Sequence, residues 1–580
     1  MIWRPGLCAV MAIFVSLLAG CGGSSTTPAT SGGNYPGSGD EQIYAVDVKS
    51  DEEKQAILKS VLQLIQTASS NPGGTNFDQA TELLNQYFLG ISPEDFTLSN
   101  ESRSYLMNRL GEGGEKAIRD LENTAFTVRD ARHIEDSLLA YTLAMRIAGD
   151  GEDLTRVRRL FDWVTRHVVL VPPNSLAPPD LPQAKARPFD VLLRGMATEE
   201  GGWAERTWLF MSLCRQLGID TGLILYPPRS LGILEDPESA KTKTAIVWIC
   251  TAIIDGKPYL FDARLGLPIP HADGQGVATL DEAITDPKIL DSLDLPGVSN
   301  YPTSAADLAA GKLTIWVDST MERMTPRMRE LQKNLTGKNR MVLFRDPSEQ
   351  AIAFKTALGS HFGQSNLWFM PLEVDYLLFN DPKFVEATQY PIRIFDARYP
   401  LLPARMGQLR GDLTEAVQRY VGFRFGQDTV ESDGKTPVPS QVQELLDLYS
   451  TYFLALAKLD QNEPDQAEFL FQETIRLFPE PGPNSPFYGM FRWGAQTNLA
   501  MIHEARAAAA RRKASADPRA LEVAREESAL AVRYYNMFQP TPQYQGNLLR
   551  ARALIWDDPF AHDPTPSTPA PAPSTAAAKP

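Results

Sequence analysis

Residues 201–220 read Gly201-Gly202-Trp203-Ala204-Glu205-Arg206-Thr207-Trp208-Leu209-Phe210-Met211-Ser212-Leu213-Cys214-Arg215-Gln216-Leu217-Gly218-Ile219-Asp220. From Ala204 to Leu217 the spacing predicts an amphipathic helix, and Gly218 stops it. Outward from it, Gly222-Leu-Ile-Leu-Tyr226 predicts a short strand ended by Pro227-Pro228. Residues 245–254 are a β-rich run, Asp255-Gly256 is a hairpin signal, and Tyr259-Leu-Phe-Asp262 is the returning strand. Upstream, Ile134–Ile147 and Leu154–Val168 predict two amphipathic helices before the strand-like Val168–Val171 and a Pro-rich loop. Helices, then a glycine-led helix, then a hairpin predict an α+β fold.

This segment, residues 126–275, resembles the transglutaminase-like superfamily, which has a papain-type fold. Leu213, Arg215, Leu217, Gly218 and Ile219 match the end of that family's central helix. Trp248, Asp255-Gly256-Lys257 and Tyr259-Leu260-Phe261-Asp262 match its hairpin without a gap. The family's chemistry uses a Cys at the helix N-terminus, where the dipole favours thiolate. A His on the next strand takes the proton and an Asp orients the His. Counting from Arg215 puts the nucleophile position on Trp203; counting from Asp262 puts the base position on Ile246. An indole has no nucleophilic atom and an isoleucine cannot move a proton. The resemblance therefore implies a domain that has lost two of its three catalytic groups and keeps only Asp262. Trp203 reads either as a plug in a vacated cleft or as an aromatic platform, with Glu205, Arg206 and Trp248 completing a candidate groove.

The chain has 580 residues and a formal charge of −15, from 56 basic and 71 acidic residues. An acidic surface repels phosphate, which argues against a nucleic-acid partner. The one long apolar run is Leu7–Ala19, too short to span a bilayer comfortably and suited to a signal-peptide core. Leu18-Ala19-Gly20-Cys21 resembles the lipobox of bacterial lipoproteins, which implies cleavage after residue 20 and a lipid on Cys21. Gly22 after it favours the outer over the inner membrane. Residues 21–40 are expected to be a flexible tether and residues 557–580 a disordered tail.

Residues 41–125 predict a helical segment, and residues 276–430 an uncharacterised α+β region. In the latter, Leu313–Val317, Met341–Phe344 and Ala351–Phe354 look strand-like and Leu413–Tyr420 helical. Residues 440–556 predict helices, with 441–459 and 464–478 paired around Gln461-Asn462. This pair resembles a tetratricopeptide repeat, and a second pair is expected at 489–512 and 518–538. With Cys8 removed and Cys21 lipidated, Cys214 and Cys250 allow one disulfide at most. No CxxC pair exists and the six His are scattered, so no metal site and no cofactor are expected.

Together these readings predict an α+β chain: a papain- or transglutaminase-like domain followed by an all-helical tetratricopeptide-like stack. The expected function is a lipid-anchored envelope pseudoenzyme that scaffolds envelope proteins or peptides. The alternatives are a thiol-dependent peptidase or acyl-transferase with a rearranged site, and a peptidoglycan- or carbohydrate-binding module around Trp203.

Overall fold

The computed structural model describes residues 50–68, 76–172, 176, 180–227, 245–396, 398–424, 429–431, 434–478, 480, 487–514 and 517–556. Side chains of residues 68, 112, 199–203, 441, 487 and 488 are outside that description. The expected signal peptide, tether, Cys21 and tail also lie outside the described residues. Among the described residues, no helix is long and apolar enough to cross a membrane.

The chain begins with α1 (Asp51–Ala68), α2 (Asn76–Tyr87) and shorter helices to Leu121. Then come α3 (Val128–Ala148) and α4 (Asp153–His167). A capping box fixes the start of α3: Thr127 and Asp130 satisfy each other's backbone N–H groups. Strand β1 (Val169–Val171) pairs in parallel with β2 (Met196–Thr198) across α5 (Pro188–Arg194). Helix α6 (Glu199–Gln216) follows.

The main sheet has six strands: β3 (Thr221–Tyr226), β4 (Ile246–Ile254), β5 (Lys257–Asp262), β6 (Leu267–Pro268), β7 (Leu313–Asp318) and β8 (Phe362–Trp368). Their order is β6-β5-β4-β3-β7-β8, antiparallel except for the parallel β7–β8 pair. The β4–β5 hairpin turns at Asp255 (φ 50°) and Gly256 (φ 73°). A two-residue turn whose twist suits a hairpin needs positive φ at both centres, which Asp-Gly supplies. Period-two alternation sends Leu223, Leu225, Cys250, Ala252 and Phe261 into one core with α3, α4 and α6. Ile224, Ile249, Leu260, Ile315 and Val317 enter a second core with Phe354 and Leu367. Both faces are covered, which is why β3 is buried at every position. In the first core Phe161, Phe210 and Phe261 meet mutually, with centroids 5.1–5.3 Å apart.

The sheet crosses the boundary expected at 275, because β7 and β8 extend the same sheet as the hairpin. Met341–Phe344 is not a strand. The N–H groups of Leu343 and Phe344 donate to Gln332 Oε1, and that of Val342 donates to Gln216 Oε1. Side-chain amides satisfy this segment in place of a ladder. Ala351–Phe354 lies within the helix Pro347–Leu358. The Asp346 carboxylate caps its N-terminus and Pro347 opens it, so a helix-start signal outweighs a short apolar alternation.

Beyond α7 (Phe369–Asn380), the C-terminal part contains α8 (Ser440–Asp460), α9 (Pro464–Leu477), α10 (Phe491–Lys513), α11 (Pro518–Tyr535) and α12 (Pro542–Trp556). Asn462 turns α8 into α9 at φ 60°. Helices α8, α9 and α10 share the first core: Tyr449, Phe453 and Phe491 belong to the same cluster as Val169 and Leu193. Ala531 and Tyr535 of α11 and Ala551 and Leu554 of α12 form a small separate core with Ala500 and Met501 of α10. On α12, Gly546 approaches the Leu265 carbonyl so closely that a Cβ would overlap it.

Candidate functional site

The backbone of Trp203 lies in the N-terminal part of α6, and its side chain lies outside the described residues. Ile246 opens β4, is 42% exposed and pairs with Tyr226. The β4–β5 ladder begins at Cys250–Phe261, so its continued register sets Ile249 opposite Asp262. Ile246 is three residues further on, roughly 10 Å along the strand. The structure does not bring these two positions together.

Asp262 ends β5, and its residue is 1% exposed. Its Oδ1 accepts from the N–H groups of Arg264 (2.9 Å) and Leu265 (3.3 Å) and from Arg264 Nε (3.2 Å). Its Oδ2 accepts from Arg264 Nη2 (2.8 Å) and from the Tyr301 hydroxyl (2.9 Å). Trp248 Nε1 donates in turn to Tyr301 Oη at 3.0 Å. Burial pushes the Asp262 carboxyl up, but Arg264 and these hydrogen bonds outweigh it and hold it below its usual value. Both oxygens are engaged in tying the end of β5 to the turn after it and to the Tyr301 segment.

Glu205 and Arg206, expected at a groove rim, are buried at 0% and 1% exposure, and Trp248 is buried with them. Every residue from Ala204 to Cys214 is buried, so α6 is enclosed all round and has no solvent face over that stretch. Glu205 forms a 2.8 Å ion pair with Arg194 and accepts from the Ala186 and Thr198 N–H groups. Burial still raises its pKa. The Arg206 guanidinium donates to Thr165 O (2.9 Å), Val168 O (2.7 Å), Ala263 O (3.0 Å) and Gln543 Oε1 (2.6 Å). Burial pulls its pKa down to about 9. Arg206 thus joins the end of α4, the turn after β5 and α12.

Cys214 and Cys250 are buried free thiols, and burial pushes both pKa values up. Thiolate, the reactive form, is therefore suppressed at both. His167 is buried against Trp163, with Nδ1 3.0 Å from Trp163 O and Nε2 3.4 Å from Asp460. His271 lies 3.3 Å from Glu282.

Behind the C-terminal half of α6 lies a charged cavity that no sequence motif announced. About 790 Å³ of space, open mouth included, lies between α3, α5, α6, α7 and the Thr320–Glu322 turn. Its acids are Asp136, Glu322 and Asp375; its guanidiniums are Arg129, Arg132, Arg187 and Arg215. Arg187 lies 3.7 Å from Asp136 and 3.4 Å from Asp190, and Arg215 lies 3.0 Å from Asp318. Arg129 and Arg132 lie over the half-exposed Phe379 ring, 4.3 and 5.0 Å from its centroid. Burial pushes Asp136 up to about 6 against the pull of Arg187. Burial and then Glu322 raise Asp375 well above the carboxylate range; burial and then Asp130 raise Glu322. Among the described residues, no group of His, Cys, Asp or Glu is arranged to hold a metal ion.

The chain matches no family model, no curated protein and no solved structure.

Proposed function

We propose that this chain is a cell-envelope lipoprotein, anchored through Cys21, whose transglutaminase-like domain is catalytically inert and scaffolds envelope proteins or peptides. The observation that carries the reading is the state of Asp262. The one retained triad-equivalent group gives both carboxylate oxygens to Arg264, Leu265 and Tyr301, leaving no imidazole for it to orient. The burial of both described thiols supports the same reading. So does Arg206, which fastens the front half of α6 to the C-terminal helices where a cleft wall would be free. A rigid body of this kind suits binding other chains by its surfaces.

The test is alkylation of the folded full-length protein with iodoacetamide, mapped by peptide mass spectrometry. Cys214 and Cys250 are expected to label slowly, and to label fully once denaturant is added. Rapid labelling of either in the folded state, with a half-labelling pH below that of a free thiol, overturns the reading in favour of a thiol enzyme.

A further inference from the structure

We propose that the cavity behind α6 binds a small organic acid in its carboxylate form, the carboxylate held by Arg129 and Arg132 and the apolar body lying along Trp208 and Leu209. This site is independent of the scaffold reading, because it uses neither Trp203 nor the Asp262 end of the sheet.

Two hydrogen-bond donors on the cavity wall lack acceptors. Arg215 and Thr320 both line the space. Nη2 of Arg215 donates to Ser212 Oγ at 2.9 Å and to Asp318 Oδ2 at 3.0 Å, but its buried Nε has no acceptor among the described residues. Thr320 is 8% exposed, and its hydroxyl has no hydrogen-bond partner among them either. Buried polar atoms are normally satisfied, so two orphaned donors on one cavity call for an occupant that carries oxygen.

The charges select the kind of occupant. Arg187 is engaged by Asp136 and Asp190 and also acts on Asp375. Arg129 and Arg132 make no ion pair among the described residues and instead lie over Phe379, which is 39% exposed and marks the mouth. Acids reach these two guanidiniums only across space. Glu322 and Asp375 act with Arg129, but burial raises both carboxyls, which favours their protonated form, a donor and not an anion. Asp136, Asp190 and Glu135 act on Arg132, yet burial first and Arg187 second outweigh them and lower its pKa. The surroundings of Arg132 thus disfavour its positive charge, and an anion beside it reverses that balance. A planar carboxylate matches the guanidinium fork. Trp208, Leu209 and Leu192 give the same space an apolar wall, which suits a carbon skeleton and which a bare inorganic anion would not touch.

Isothermal titration of the full chain with phenylacetate, hexanoate, phenylacetamide, benzylamine and inorganic phosphate, each to about 10 mM, tests the proposal. At least one of the two carboxylates is expected to bind. Phenylacetamide keeps the ring and loses the charge, and benzylamine reverses the charge; both should bind at least ~10-fold more weakly, as for loss of a charge-assisted hydrogen bond. Arg129→Gln and Arg132→Gln should each weaken carboxylate binding ~10-fold with an unchanged circular dichroism spectrum. If either variant fails to fold, the amide and the amine on the unaltered protein decide the question alone. Absence of binding by both carboxylates overturns the proposal, and so does equal binding of the amide. A folded variant of either arginine with native affinity overturns it as well. Phosphate binding as tightly as the carboxylates does the same, because the apolar wall would then contribute nothing.

Discussion

Replacing Asp262 by alanine separates a structural tie from a catalytic remnant. The substitution takes the acceptor from five bonds: two backbone N–H groups, the Tyr301 hydroxyl and two guanidinium nitrogens of Arg264. The three neutral donors are worth about 1 kcal/mol each, or ~3 kcal/mol together. The Arg264 side chain is 21% exposed and can recover part of its hydration, so its lost partner adds about 1–2 kcal/mol and not the 3–5 of a fully enclosed pair. The expected loss is about 4–5 kcal/mol, read as a fall in Tm of roughly 8–10 °C at about 2 °C per kcal/mol for a large chain. Asp262→Asn keeps one acceptor oxygen and should fall between the two. The pH dependence has a definite sign. The folded pKa of Asp262 is depressed below 3.8, so its contribution is present above that value and is lost as pH falls through the folded pKa. The gap between native protein and Asp262→Ala should therefore be constant from pH 5 to 8 (about the physiological span) and close below about pH 4. Differential scanning calorimetry across that range reads both quantities. An Asp262→Asn protein with native Tm and a lost peptidase or acyl-transfer activity would refute the reasoning, because the carboxylate would then be serving chemistry and not the fold.

Two other expectations concern the body of the molecule. His133 has a pKa lowered to about 4 by burial, against 6.5 when unfolded. A base depressed in this way must lose stability as pH drops from about 6.5 to about 4, by at most about 3 kcal/mol at 1.36 kcal/mol per unit; His133→Gln should flatten that slope in Tm-against-pH scans, and an unchanged slope would count against it. Gly546→Ala puts a methyl group onto the Leu265 carbonyl, so α12 must shift. Limited proteolysis should then cut near residues 536–541 faster than in the native protein, and an unchanged cleavage pattern would show that the contact is not tight.

The hairpin was legible because Asp255-Gly256 is a local signal with a local cause. Helix α6 was legible in position but not in surroundings: its Glu-Arg pair reads as a polar face, yet both side chains are buried against partners up to 337 residues away. Met341–Phe344 has the composition of a strand, and only the amides of Gln216 and Gln332 decide otherwise. Strand β8 was missed because Phe362-Gly-Gln-Ser-Asn carries little apolar alternation; its pairing with β7 is what makes it a strand. The cavity behind α6 draws on residues from 129 to 379, and nothing in their spacing announces it.

The bond from Arg206 to Gln543 spans 337 positions of the chain. A polypeptide made from its N-terminus must hold that guanidinium without its last acceptor until α12 has emerged. Any version cut short before residue 542 would present the underside of the β5 turn as a bare, adhesive surface.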